Sequence, residues 1–396
     1  MKKNLFLGLI ALTALTVTGC QNDEVVEAVP QKQAIEFGTY LGRDAQGRGV
    51  ILNDANLSNF GVYASYTNGA KWTADTATPN FMYDQKVERE PSSAVWTYTP
   101  LKYWPTKQEH EYISFFAYAP YRADNNGISV KSSNTATGTP VITYTIDAAN
   151  LATMADFTAD VQMNETKTSA GATPDGSERN VDFNFKHELT RVAIEAKLDR
   201  NAFLSTGTAD KTKVNIKQID FTGTGFASEA DYTFASATDE RGTWTYTKAS
   251  SPLNIIAGAA GSVLVNNNTT PLWLVNYNVP GYLLENEDSK NIFGGNTYLF
   301  LIPPTNAGVT SEKSISMQIH YDIVTADAAL DGGYSKTSAV KKIDIPTGSG
   351  LLTQGAAYRF TLIFNLNEVT FSADVVDWAD PEGTSNDNVD YPDTDI

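Results

Sequence analysis

Cysteine is almost missing from this chain. Cys20 stands alone, which excludes an internal disulfide and leaves no thiol nucleophile beyond residue 20. Histidine occurs three times, at 110, 187 and 320, with no spacing that suits a metal ion. His187-Glu188-Leu189-Thr190-Arg191 opens like a zinc-protease pattern but carries Arg where the second His must stand. Gly223-Thr224-Gly225 lacks the third glycine of a dinucleotide loop, and there is no Gly-x-Ser-x-Gly elbow or phosphate loop. Positive charge is short as well. Lys and Arg number 29 against 46 Asp and Glu, and the net charge of -17 repels nucleic acid and anionic lipid. Long Leu- or Ala-rich helical stretches are missing, and past the N-terminus no apolar run approaches the roughly 20 residues of a membrane helix. The expectation is no catalytic residues, no metal and no cofactor. Scattered carboxylates leave a glycosidase-type pair open, with solvated surface acids as the plainer reading.

What is present starts at the N-terminus. Lys2 and Lys3 precede an apolar run from Leu5 to Val17, closed by Val17-Thr18-Gly19-Cys20. A charged start, a short apolar stretch and small residues at its end read as a secretory signal rather than a membrane span. The closing Cys resembles a bacterial lipobox, in which it is acylated and becomes the new N-terminus. Residues 1–20 are therefore expected to be a lipoprotein signal peptide and 21–33 a polar tether. In Ala34–Leu41, Ile35, Phe37 and Leu41 alternate with Glu36, Gly38 and Tyr40, the period-two mark of a strand with one buried face. Residues 42–49 then form a Gly-rich loop containing Arg43 and Arg48, and exposed loops of this kind are where proteases cut.

Tyr, Thr, Phe and Gly are plentiful, and short alternating segments continue along the chain, so strands are expected throughout. They are predicted at 60–66, 81–87, 94–98, 112–119, 141–146, 181–185, 189–198, 214–221, 242–247, 272–277, 297–302 and 315–323. The run from Tyr112 to Ala119 is almost continuously apolar, as for a strand covered on both faces. Asn164 to Arg179 has no periodicity and reads as an internal linker. A final hairpin sets Tyr358, Phe360, Leu362, Phe364 and Leu366 against a second strand carrying Val369, Phe371, Ala373 and Val375. The acidic segment 380–396 has no pattern and is expected to be a disordered tail. The fold class is all-β, with one β-sandwich in 34–184 and a second in 185–379. Trp72, Tyr103, Trp104 and Tyr121 can stack on sugars, which keeps a surface glycan-binding lipoprotein as an alternative function; core packing is the commoner use of such residues.

A series of short segments then resembles the fimbrillin family, lipoprotein pilins of type V fimbriae. It comprises Val17–Cys20, Ile35-Glu36-Phe37-Gly38-Thr39, Phe60-Gly61-Val62-Tyr63-Ala64, Tyr103-Trp104-Pro105, Phe116-Ala117-Tyr118-Ala119-Pro120, Phe183–Leu189, Gly355-Ala356-Ala357-Tyr358 and Val375–Trp378. They occur in the family's order over nearly the whole chain. The resemblance implies two tandem transthyretin-like β-sandwich domains and a structural, adhesive role without catalysis. It also implies delivery to the outer membrane on lipid, an arginine-specific protease cutting after Arg43 or Arg48, and loss of the first strand with Ile35, Phe37 and Leu41. The implied partners are other fimbrial subunits, added head-to-tail by strand exchange with Val369, Phe371, Ala373 and Val375 as candidate donor, and a host or bacterial surface ligand. The acidic tail after that strand departs from the plain pilin plan and suits a tip or accessory subunit.

Overall fold

The computed structural model describes residues 33–41, 52–53, 55–90, 93, 95–105, 111–123, 126–147, 154–167, 171–172, 179–199, 211–248, 253–256, 279, 281–284, 289–293, 297–304, 314–346, 352–365 and 368–376. Among the described residues there is no helix. The first strands are β1 (Glu36–Tyr40), β2 (Asn59–Asn68), β3 (Met82–Glu88), β4 (Glu111–Ala119), β5 (Ile128–Val130), β6 (Val141–Thr145), β7 (Thr158–Glu165), β8 (Gly171–Ala172), β9 (Arg179–Asn184) and β10 (Lys186–His187). Then come β11 (Thr190–Leu198), β12 (Thr212–Thr222), β13 (Glu229–Thr233), β14 (Thr243–Tyr246), β15 (Leu253–Ile256) and β16 (Tyr282–Leu284). The last are β17 (Lys290–Asn291), β18 (Leu299–Leu301), β19 (Ser314–Ala326), β20 (Tyr334–Pro346), β21 (Ala357–Phe364) and β22 (Val369–Val376).

The middle layer of the first half is the sheet β10-β7-β4-β2-β3. Period two puts Phe60, Val62, Phe115 and Ala117 on one of its faces and Tyr63, Phe116 and Tyr118 on the other. The first face is covered by the small sheet β1-β9-β8. The second is covered by β14-β13-β6-β5, whose Phe234 and Tyr232 meet Phe116 and Phe157 at ring separations of 5.9 and 5.0 Å. Both faces of β4 are thus dry, which is why its sequence is apolar at nearly every position.

That covering sheet takes β5 and β6 from before residue 184 and β13 and β14 from after it. Val141–Thr145 pairs antiparallel with Thr233–Glu229, so the two halves of the chain share this layer. The rest of the second half packs β17-β11-β21-β22, with β18 also on β11, against β15-β12-β19-β20. Val192, Ile194, Phe360 and Leu362 face Val214, Ile216, Ile319 and Tyr321 in one continuous core.

Several local outcomes differ from expectation. Of the strand expected at 94–98, residues 95–98 make only a single bridge, Thr97 to Glu88, because Trp96 and Tyr98 turn inward as plugs while Thr97 alone finds a ladder partner. Within the expected linker, β7 continues to Glu165 and β8 occupies 171–172. β5, β7, β13, β15, β16 and β20 have no counterpart in the predicted strands. The expected strand at 272–277 and the tail 380–396 lie outside the described residues.

Candidate functional site: the groove that holds the first strand

β1 is inserted, not laid on. Ile35, Phe37 and Leu41 are 0, 5 and 3 % exposed, while Glu36 and Tyr40 between them face solvent. Phe37 sits in a cage of rings: Phe183 stacks on it at 5.7 Å, Tyr98 lies at 5.4 Å, and Phe60 and Phe115 present edges at 5.9 and 6.0 Å. Ring pairs with these offset and edge geometries add to the burial of each side chain.

The backbone of the segment is held on both edges. Glu36–Tyr40 runs parallel to β9 with Glu36 opposite Asn180 and Tyr40 opposite Asn184. On the other edge Ala34 bridges Tyr103, with Ile35 N donating to Lys102 O and Trp104 N donating to Gln33 O, both at 2.9 Å. The Tyr98 hydroxyl donates to Ile35 O at 2.8 Å, and burial pushes its pKa up to about 12, so it stays a donor across neutral pH. Gly38 lies directly opposite Asp182, whose Oδ1 would be 2.0 Å from any Cβ placed there. Tyr98→Phe should therefore destabilise this edge by about 1–3 kcal/mol, since Ile35 O is left buried without its donor. Faster hydrogen exchange at the Ile35 and Trp104 amides in the uncut chain would register it; unchanged exchange would show that the hydroxyl holds nothing.

Cys20, Arg43 and Arg48 lie outside the described residues. The last described residue before the Arg43 and Arg48 segment is Leu41, which is buried under the first sheet. The candidate donor strand is β22, at the edge of its sheet and paired along its whole length with β21. Of its eight residues only Val369 is buried; Phe371, Ala373 and Val375 are partly covered.

Of the other sequence candidates most take structural places, while Tyr103 is 43 % exposed and Tyr121 is partly buried. Trp72 and Trp104 are 8 and 3 % exposed and belong to the cores, so neither offers a face to a sugar. His187 pairs with the buried Asp156 at 3.0 Å, and His320 with Asp220 at 2.8 Å. Arg191, in the place of a second zinc histidine, is 1 % exposed and lies 4.4 Å over the Tyr298 ring. No group of three or more metal-ligating side chains occurs among the described residues.

The sequence shows Glu188 only as part of an incomplete zinc-protease pattern and of a family segment; in the structure it ties three sheets together. It joins β10 to β11 and is 1 % exposed. Its carboxylate accepts from Gln354 Nε2, next to β21, and lies 3.4 Å from Arg241 Nη1, next to β14. Its backbone O accepts from Trp244 Nε1 at 2.8 Å and its N donates to Phe157 O at 2.9 Å. Burial raises its pKa to about 7, against the pull of Arg241.

A family model described as fimbrillin-like matches residues 52–378. Among solved structures, a fimbrial protein from Bacteroides vulgatus ATCC 8482 is 25% identical with a TM-score of 0.61, covering 88% of this chain and 100% of that one. A candidate cell-adhesion protein from Bacteroides uniformis ATCC 8492 is 14% identical with a TM-score of 0.43, over 88% and 98% of the two chains. The fimbrial anchor protein Mfa2 from Porphyromonas gingivalis is 11% identical with a TM-score of 0.32, over 87% and 99%. No curated protein matches. With the family model spanning most of its length, the chain belongs to the fimbrillin-like family.

Proposed function

We propose that this protein is a structural and adhesive subunit of a cell-surface fimbria, made as a lipoprotein precursor and activated by removal of β1. The lipid is carried on Cys20, an arginine-specific protease cuts after Arg48 or Arg43, and the strand with Ile35, Phe37 and Leu41 leaves with the anchor. The observation that carries this reading is the position of β1: a terminal strand that fills a core groove yet adjoins a basic, Gly-rich segment. The similarity to a Bacteroides fimbrial protein supports the fimbrial setting.

Removing β1 strips about 1.5–3 kcal/mol of burial from each of its three inward side chains, roughly 5–9 kcal/mol together. A domain is stable by only about 5–15 kcal/mol, and the vacated site also opens the edge of β9. A strand from another subunit restores both burial and ladder, and head-to-tail filling does not close, so it grows a filament. The partners are thus other fimbrial subunits, the protease and, before cutting, the outer membrane. The acidic tail suits a tip or accessory place in that filament.

Treatment of the lipid-free precursor with an arginine-specific protease should convert a monomer to high-mass assemblies, followed by light scattering. Changing both Arg43 and Arg48 to Lys should abolish the conversion. Assembly that proceeds equally in the double variant would defeat the proposal.

A further inference from the structure

We infer that the acidic C-terminal segment docks as an added strand on the free edge of β20 in its own chain, antiparallel to it, with Val389 opposite Val340. This contact is independent of the removal of β1.

The site is the longest open strand edge among the described residues. β20 (Tyr334–Pro346) pairs with β19 along its whole length and has no strand on its other side. Such a row of open N–H and C=O groups is a template for another strand. The solvent face of β20 carries Lys336, Ser338, Val340, Lys342 and Asp344 at period two. Val340 is 58 % exposed, an apolar side chain in the middle of a polar face. Lys342 pairs with Asp344 at 3.0 Å, whereas Lys336 and Lys341 form no ion pair among the described residues.

Charge and reach identify the occupant. From residue 360 to 396 there is no Lys or Arg, while Asp380, Glu382, Asp387, Asp390, Asp393 and Asp395 follow β22. Edge lysines ordinarily keep sheets apart, and two β20 edges would crowd their lysines along one seam. Against a strand without bases the same lysines attract. As for reach, Tyr321, opposite Ala339 near the middle of β20, meets Phe364 at the end of β21, with ring centroids 5.1 Å apart. Residues 347–356 join Pro346 to Ala357, and at about 3.3–3.6 Å each they are too few to run back along both strands. Ala357 therefore lies towards the Pro346 end. Val376 is opposite Ala357, so the segment after β22 starts at that end and meets β20 antiparallel.

The match of side chains sets the register. With Val389 opposite Val340, Asp387 falls against Lys342 and Asp393 against Lys336 on the same face, while Asp390 lies diagonal to Lys341 on the other. Ser385 meets Asp344, so no two acids stand directly opposed. A slip of one residue turns every one of these side chains to the wrong face. A slip of two leaves the lysines opposite Ser385 and Tyr391 in one direction and sets Asp387 against Asp344 in the other. Pro392, opposite Thr337, is tolerated because the added strand is itself an edge.

The register is tested in the full chain carrying Cys20→Ser. Val340→Cys combined with Val389→Cys should oxidise to a disulfide within one molecule, seen as a shifted monomer on a non-reducing gel. Val340→Cys with Asn388→Cys should give far less. In a chain ending at Ala379 the amides from Lys336 to Lys342 should exchange about tenfold faster than in the full chain. Lys336→Glu should also speed exchange there, and adding Asp393→Lys should reverse it. Equal cross-linking at both positions would overturn the register, and exchange indifferent to truncation would overturn the docking. Cross-linked dimers in dilute solution would place the segment on another molecule and defeat the assignment to its own chain.

Discussion

Phe37→Ala in the full chain is expected to lower the unfolding free energy by about 3–5 kcal/mol, the usual range for deleting a buried Phe. The ring is 5 % exposed, and its neighbours come from three different places: Phe60 and Phe115 on the middle sheet, Phe183 on β9, and Tyr98 in the loop over the other edge. None of the four can follow a shrinking neighbour without leaving its own contacts, so the hole stays open and the cavity term is felt in full. Tyr40→Ala on the same strand, at 51 % exposure, should change stability by no more than about 0.5 kcal/mol. Chemical denaturation followed by Trp96 and Trp104 fluorescence separates the two. Equal effects at Phe37 and Tyr40 would mean that β1 is not part of the core.

The second large effect is a pH dependence at Glu188. Its folded pKa is raised to about 7 from an ordinary 4.5, so the native state binds the proton more tightly than the unfolded chain. Stability from this group is complete below about pH 4.5, is lost as pH rises through about 7, and stays low above it. A displacement of that size corresponds to something on the order of 3 kcal/mol. Arg241 and Lys186 oppose the shift, and Tyr232 faces the same pocket as a neutral hydroxyl. Asp160, also raised by burial, acts in the same direction. Comparison with Glu188→Gln isolates the one carboxyl: the variant keeps an acceptor for Gln354 and Arg241 but carries no charge. Between pH 5 and pH 8 the parent should lose denaturation midpoint and the variant should hold it. Parallel curves for the two proteins would remove Glu188 from the account.

The sequence declared its strands wherever one face was dry and the other wet. β1 and β21 carry buried residues at period two and were readable for that reason, whereas β2 and β11 are buried at nearly consecutive positions and were readable from apolar content. β20 was invisible because, of the residues from Tyr334 to Ile345, only Ile345 is buried; as a polar edge strand it has no pattern to show. Ala94–Tyr98 erred in the opposite sense, since apolar alternation reports burial and Trp96 and Tyr98 are buried without a ladder. At the groove, the inward trio Ile35, Phe37 and Leu41 could be named from alternation alone. The parallel partner β9, the second clamp at residues 102–104 and the four-ring cage could not, because each is a contact between segments far apart in the chain.

The layer shared by β5, β6, β13 and β14 has a consequence for biogenesis. A polypeptide threaded out of the cell amino end first delivers Ile142 and Tyr144 long before Ala230 and Tyr232 arrive to cover them. The seam between early and late segments therefore closes only after some eighty intervening residues have emerged, and the β11–β21 ladder closes later still. Dissection at the midpoint cannot yield two self-sufficient modules, because each fragment would keep half of a common wall.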